Sequence, residues 1–447
     1  MVNAQKLSKS NVSADLINRL LFVLGALFVY RLGSHIPVPG VDPVAMSNMV
    51  QQSGGGLLGM LNLFSGGALR RFSIFAIGIM PYISSSIVMQ LAGEIIPSLQ
   101  ALKKEGQAGR HKITQYTRVG TIILATFQAM GMGRLLLSQP GVVIIDSYEF
   151  YITTIVCLVT GTMFLMWLGE QMTERGVGNG ISIIICAGIA ASIPGGVYQI
   201  LDMIRNGSLN LFIGIMVIIG ALALTYFVVV VESGQRKIPI HYAKRQVTSR
   251  LMTGGQTSHI PFKLNMSGVI PPIFASSILA FIGMGLNWLT SFSSFDFLHG
   301  LSVMLTRGQP AYLIIFAFAV IFFSYFYTGV MYSPREIAEN LKKGGAFIPG
   351  IRPGEQTSKY LEKVILRLTF YGGLYITLVC IIPELLIQFF NIPVYLGGTS
   401  LLILVVVTMD FVAQLSSYQV SQQYESLMNR SASRLSLIHI SEPTRPY

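Results

Sequence analysis

Apolar runs of membrane-crossing length recur ten times along the chain, near 19–38, 72–93, 119–137, 151–169, 181–200, 210–231, 266–289, 310–332, 365–387 and 398–419. Roughly 20 apolar residues in a helix cover a hydrocarbon core about 30 Å thick. A helix also satisfies its backbone polar groups within one segment, which lipid requires. The pattern therefore predicts an all-α polytopic membrane protein with ten transmembrane helices. No polar stretch between the runs is long enough for a separate soluble domain. The first 18 residues, with Lys6 and Lys9, are too polar for a signal h-region, and no small-residue cleavage site follows. The first run is expected to stay as a membrane helix.

Composition supports this reading. Only 11% of residues are charged, too few to clothe a soluble domain, where about a quarter is usual. Cys157, Cys186 and Cys380 all fall inside apolar runs, and an odd, buried set is no disulfide framework. The net charge of +12 is explained by its distribution. With the N-terminus placed inside, six of the 31 Lys and Arg lie outside, namely Arg31, Arg70, Arg71, Arg134, Arg205 and Arg307, and the other 25 lie inside. That bias puts both termini on the cytoplasmic side. Ten runs split into two sets of five, and an odd set starts its successor on the opposite face. Similar halves would then be inverted repeats with a pathway between them. The expected divisions are 1–18, a cytoplasmic segment; 19–200 and 201–420, the two five-helix halves; and 421–447, a cytoplasmic tail. The final LSLIHISEPTRPY, from which 437–447 is set aside, reads as a cloning or sequence-assembly scar.

Three local features stand out. Residues 57–69 form an apolar segment too short to span, containing Gly59, Gly66 and Gly67, followed at once by Arg70 and Arg71. Such an interrupted segment points to a pathway lined by non-lipid-facing backbone, or else to a re-entrant turn of no functional weight. Ile79, Ile83 and Ile87 recur every four residues, as do Ile181 and Ile185, which sets each group on one helix face. Ordinary packing or lipid contact accounts for such isoleucines as well as a pathway does. Pro271 and Pro272 enter the seventh run early and favour a kink.

Two long basic loops, 232–264 and 333–364, exceed what topology needs. One carries Arg236, Lys237, Lys244, Arg245 and Arg250, the other Lys342, Lys343, Arg352 and Lys359. Attraction to anionic headgroups explains loop cations in general. Catalytic signatures are missing: Gly176–Gly180 lacks the strand and the Gly-Lys-Ser/Thr of a phosphate loop, and the six histidines, assigned to loops or the tail, lack metal spacing. No enzyme activity and no cofactor are expected. Asp410 is the one acid assigned to a span, toward its end. A secondary transporter of a small solute shares this architecture but usually carries ionisable coupling residues at the midplane.

Three stretches carry a family resemblance: Leu61–Leu91, LNLFSGGALRRFSIFAIGIMPYISSSIVMQL; Gly161–Ile185, GTMFLMWLGEQMTERGVGNGISIII; and Gly345–Thr357, GAFIPGIRPGEQT, with Gly397–Asp410, GGTSLLILVVVTMD. In order and spacing they resemble the SecY family, the channel subunits of the bacterial Sec protein translocase, from about Arg19 to Ser426. The resemblance implies a protein-conducting channel in the inner membrane that passes unfolded secretory chains outward and releases hydrophobic segments into the bilayer. It implies a plug over 57–71, including Leu61, Phe64, Ser65, Gly66, Gly67 and Leu69, and a pore ring of Ile79, Ile83, Ile181, Ile185, Ile273 and Ile403. It implies a lateral gate between the second and seventh spans, near which Gln90 and Asn265 either bond across the seam or satisfy local backbone. The basic loops, through Arg236, Lys237, Arg245, Arg250, Lys343 and Arg352, are implied to dock the ribosome by its RNA phosphates and the motor ATPase SecA. SecE and SecG are the implied membrane partners.

Overall fold

The computed structural model describes residues 2–52, 59, 62, 65–139, 141–242, 246–248, 251–252, 257–290, 300, 303–305, 309–390 and 397–440. Ten helices fall on the ten apolar runs: α1 (Val2–Gly33), α3 (Met80–Ile95), α5 (Gln107–Leu137), α6 (Ser147–Arg175), α7 (Gly180–Arg205), α8 (Leu211–Ser233), α9 (Ile270–Thr290), α10 (Pro310–Met331), α12 (Glu355–Phe390) and α13 (Gly398–Ile440). Short helices α2 (Pro43–Gln52), α4 (Pro97–Lys104) and α11 (Pro334–Lys343) lie between them. Among the described residues, eight helices are long and apolar enough to cross a membrane, and Ile270–Gly283 is a shorter apolar helix. Large apolar side chains such as Phe212, Ile219, Leu222 and Tyr226 on α8 stay exposed, as a lipid-facing surface requires.

One expected boundary needs correction. The run at 72–93 is not helical from its start. Val38 N–H donates to the Phe72 carbonyl (2.9 Å) and Ile74 N–H to the Ile36 carbonyl (3.1 Å), so this stretch pairs with the chain leaving α1. Gly78 turns at φ +67, and α3 begins only at Met80, with Pro81 in its first turn. A proline there forfeits no helical hydrogen bond. The all-α class holds, and a small sheet in the loops joins the helices. β1 (Gln235–Tyr242) pairs antiparallel with β4 (Thr257–Lys263), Gln235 opposite Lys263 and Ile238 opposite Ile260, and with β5 (Ala346–Phe347). A short pair, β2 (Gln246–Thr248) and β3 (Leu251–Met252), adjoins them in sequence. In β1 Ile238 and Ile240 are buried with exposed Pro239 between them, a period of two that a helix cannot keep.

The buried side chains form separate clusters. One draws on residues 38–158, around Met46, Leu69, Phe72, Met132 and Phe150. A second draws on residues 228–406, around Ala275, Val320, Ile376, Val379 and Leu402. A third, with Ile238, Ile240, Ile348 and Leu361, seats the sheet on the first turns of α12. The cluster around Ile185 takes members from both parts of the chain.

Candidate functional site: an apolar constriction between two polar cavities

The six isoleucines of the expected ring come together in that shared cluster. Ile79, Ile185, Ile273 and Ile403 are buried in it, and Ile83 and Ile181 pack against it. They arrive from the start of α3, from α7, from the Pro-rich first turn of α9 and from α13. Ile87 is buried but belongs to none of the core clusters.

Polar cavities lie on either side. One, of about 390 Å³, is lined by Asn179, Ser182, Glu232, Lys263, Asn265, Asp410 and Gln414, at the sheet end. The other, of about 610 Å³, is lined by Arg31, Asn62, Arg70, Arg71, Ser192 and Gln199. Helix α7 links them: Ser182 faces the first cavity and Ser192 the second. The ten-residue step from one to the other rises about 15 Å and carries Ile184, Ile185 and Ile189 into the cluster. Branched aliphatic side chains thus stand between the two cavities.

The segment before α3 lines the larger cavity through Asn62, Gly66, Gly67 and Arg70. Of the expected plug, Ser65, Gly66 and Leu69 are buried and Gly67 is half-buried; Leu61 and Phe64 lie outside the described residues. Ser65 Oγ donates to the Asn62 carbonyl (3.2 Å) and accepts from Leu69 N–H (3.3 Å), and Arg70 N–H donates to Asn62 Oδ1 (2.9 Å). Helix α1 meets this turn with two side chains. Tyr30 Oη donates to the Ser65 carbonyl (3.2 Å), and Arg31 Nη1 to the Gly66 carbonyl (3.2 Å). Sequence reasoning missed both, because their partners are backbone atoms and leave no side-chain signature.

At the seam of α3 and α9, Ser277 Oγ donates to Met80 Sδ (3.8 Å), and Phe127 of α5 stacks near Phe281 with ring centroids 5.6 Å apart. Asn265 bonds to the Glu232 side chain and to nearby groups. Its Nδ2 donates to Glu232 Oε1 (2.6 Å) and the Gly268 carbonyl (3.2 Å), while Oδ1 accepts from Gly268 N–H (3.1 Å) and Ser267 Oγ (3.2 Å). Those four bonds use an amide's whole capacity, so none is left for Gln90, which is exposed on α3. Asp410 reaches Lys263 Nζ (3.1 Å) across the narrow cavity.

Assigning Asp410 as the one acid within a span is wrong. Glu232 closes α8 and is 7% exposed, and Glu384 is buried within α12. Histidines are not confined to loops either: His111 begins α5, and His241 and His259 sit in β1 and β4. Among the described residues no three metal-ligating side chains cluster.

Arg236 and Lys237 project from β1, Lys343 ends α11, and all are exposed; Arg245 and Arg250 lie outside the described residues. Arg352 is exposed in the turn between β5 and α12. Gly350 (φ +79) and Gly354 (φ +109) shape that turn, and Thr357 Oγ1 donates to the Arg352 carbonyl (2.9 Å), which fixes the backbone beneath the guanidinium.

Comparison with known proteins gives one answer. A SecY family model matches residues 73–412. A protein translocase subunit SecY of Haemophilus influenzae is 51% identical over 428 residues, covering 96% of this chain and 97% of the relative. One from Escherichia coli K12 is 52% identical over 420 residues, covering 93% and 95%. Among solved structures, a protein-conducting channel superposes with TM-score 0.65 at 19% identity, over 91% of this chain and 93% of that one. Sec61 in the canine ribosome–channel complex from the endoplasmic reticulum superposes with TM-score 0.59 at 17% identity, over 91% and 93%. The structural likenesses support the fold, and the sequence relatives carry the family.

Proposed function

The chain belongs to the SecY family, and from that membership we propose how its geometry conducts a polypeptide. It is a multi-pass membrane protein, a protein-conducting channel of the translocase and not an enzyme. The observation that carries the mechanism is the meeting of six isoleucines from four separate segments between two polar cavities. Branched aliphatic side chains bind no segment strongly. They dewet when the path is empty and yield around side chains of different size when it is filled. These six form the pore ring. Residues 57–71 form the plug that seals the wide outer cavity, and the α3–α9 seam is the lateral exit to lipid. Gln90 and Asn265 flank that exit, Asn265 by anchoring the start of α9 to Glu232.

The charge bias supports a bacterial inner-membrane orientation with both termini cytoplasmic, which puts the sheet and the narrow cavity on the cytoplasmic face. Arg236, Lys237, Lys343 and Arg352, with Arg245 and Arg250, then offer cations to ribosomal RNA phosphates and to SecA. The structural relative in a ribosome complex agrees with that role. SecE and SecG are the membrane partners proposed from family membership. Because Glu232 and Glu384 are buried acids, the contrast with a solute transporter rests on the translocase relatives and the apolar waist, not on a shortage of carboxylates.

The test replaces Ile83 or Ile403 with Asn. A polar waist wets more readily, so ion leak rises severalfold and export of precursors with defective signal sequences improves. Loss of one small solute's uptake with export untouched would favour the transporter.

A further inference from the structure

We propose that Tyr30 and Arg31 form a latch that holds the outer seal shut, a pair of positioning residues apart from the isoleucine waist. The inference rests on reading the segment around Ser65 as the seal. Adjacent residues at the end of α1 donate to adjacent carbonyls, those of Ser65 and Gly66, each at 3.2 Å. Gly66 (φ +66) and Gly67 (φ +84) curl the backbone there into a conformation that side chains disfavour. The seat is tight on the other side too. A Cβ on Gly66 would stand 2.8 Å from the Gly188 Cα on α7 and 2.9 Å from Tyr30 Oη. The segment's backbone is thus held between α1 and α7, while Ala68 and Leu69 pack into the neighbouring clusters.

The two donors differ in what release costs them. Arg31 lines the outer cavity, so its guanidinium can exchange the Gly66 carbonyl for water. Tyr30 is 2% exposed, stacked on Phe75 with centroids 6.2 Å apart inside the apolar cluster. If the segment leaves, its hydroxyl stays buried without an acceptor, which is the costly outcome for a buried polar group. Arg31 supplies the stronger, charge-assisted bond. Tyr30 adds a penalty on opening that Phe in its place lacks. Both variants shift the equilibrium toward the open seal, in a channel whose waist is intact.

The experiment uses the full chain in proteoliposomes, with Cys157, Cys186 and Cys380 replaced by Ala and a reporter cysteine at Ala68, which is fully buried when the seal is seated. Labelling by a membrane-impermeant maleimide and ion leak are measured together. Tyr30→Phe raises the labelling rate about fivefold and Arg31→Gln about twentyfold, the factors expected for losing a neutral and a charge-assisted hydrogen bond. Arg31→Lys, which keeps one charged donor, falls between Arg31→Gln and the parent. Gly66→Ala, whose Cβ crowds both Gly188 and the Tyr30 hydroxyl, also speeds labelling. A chain lacking residues 65–69 serves as the reference for an absent seal. If that deletion raises leak while Tyr30→Phe and Arg31→Gln label at the parental rate, the latch is overturned and the seal stands. If the deletion leaves leak unchanged, the seal itself is wrong and the latch falls with it.

Discussion

Asn265 has no hydrogen-bonding capacity to spare, and its principal partner is the buried carboxylate of Glu232 at 2.6 Å. Removing an amide that faces a buried acid leaves the acid without its donor, a loss of about 1–3 kcal/mol. Asn265→Leu should therefore lower the thermal stability of the purified channel, and Glu232→Gln with Asn265 intact should lower it less, because an amide pair still bonds. Equal Tm values for Asn265→Leu and the parent would contradict the anchor. Arg352 is a different kind of residue: exposed, on a turn fixed by Gly350, Gly354 and the Thr357 hydroxyl. Rigid presentation lowers the ordering cost of docking, and a bidentate guanidinium contact is one a lysine does not reproduce. Arg352→Glu should nearly abolish motor-driven export and Arg352→Lys should reduce it clearly, at equal channel abundance. Lys equal to Arg, with Glu only mildly worse, would mean simple headgroup attraction. The isoleucines could be found from the sequence because a four-residue repeat marks a helix face and the family motifs single out members of that face. Tyr30, Arg31 and Glu232 could not be, since their importance depends on what a distant backbone or amide presents to them.

At the scale of elements, the apolar runs gave the helices and their order, and missed where side-chain period gives way to backbone pairing. The stretch at 72–79 is as apolar as a helix, yet the Phe72 carbonyl and Ile74 amide pair with Val38 and Ile36, other amides close local turns, and Pro81 delays α3. The loop after α8 reads as basic and irregular, but Ile238 and Ile240 alternate with exposed residues and close a small core with Phe262, Ile348 and Leu361. Hydrophobicity averaged over twenty residues is blind to a period of two. The hairpin raises its cations on a rigid platform, so its side of the membrane matters to the docking proposal. Single cysteines at Lys237 and Lys359 should react with an impermeant maleimide only in permeabilised cells, while one at Tyr148, exposed at the start of α6, should react in intact cells. Labelling of Lys359→Cys in intact cells would reverse the orientation.

Across the whole molecule, separate cores on either side leave a shared apolar waist between them, with a narrow mixed-charge cavity at one end and a wide arginine-lined one at the other. That arrangement suits a path that opens for a chain and otherwise keeps water and ions out. On the proposed path a passing polypeptide would meet the Lys263–Asp410 mouth, the isoleucines and then the Arg70 end in that order. Site-specific photo-cross-linking of a stalled secretory chain tests this most directly, with probes placed in turn at Ser182, Ile403 and Gln199. All three positions should cross-link to the same arrested precursor, in an order that advances along the precursor with depth. Cross-links confined to the cytoplasmic mouth, with none at Ile403 or Gln199, would contradict conduction through the waist.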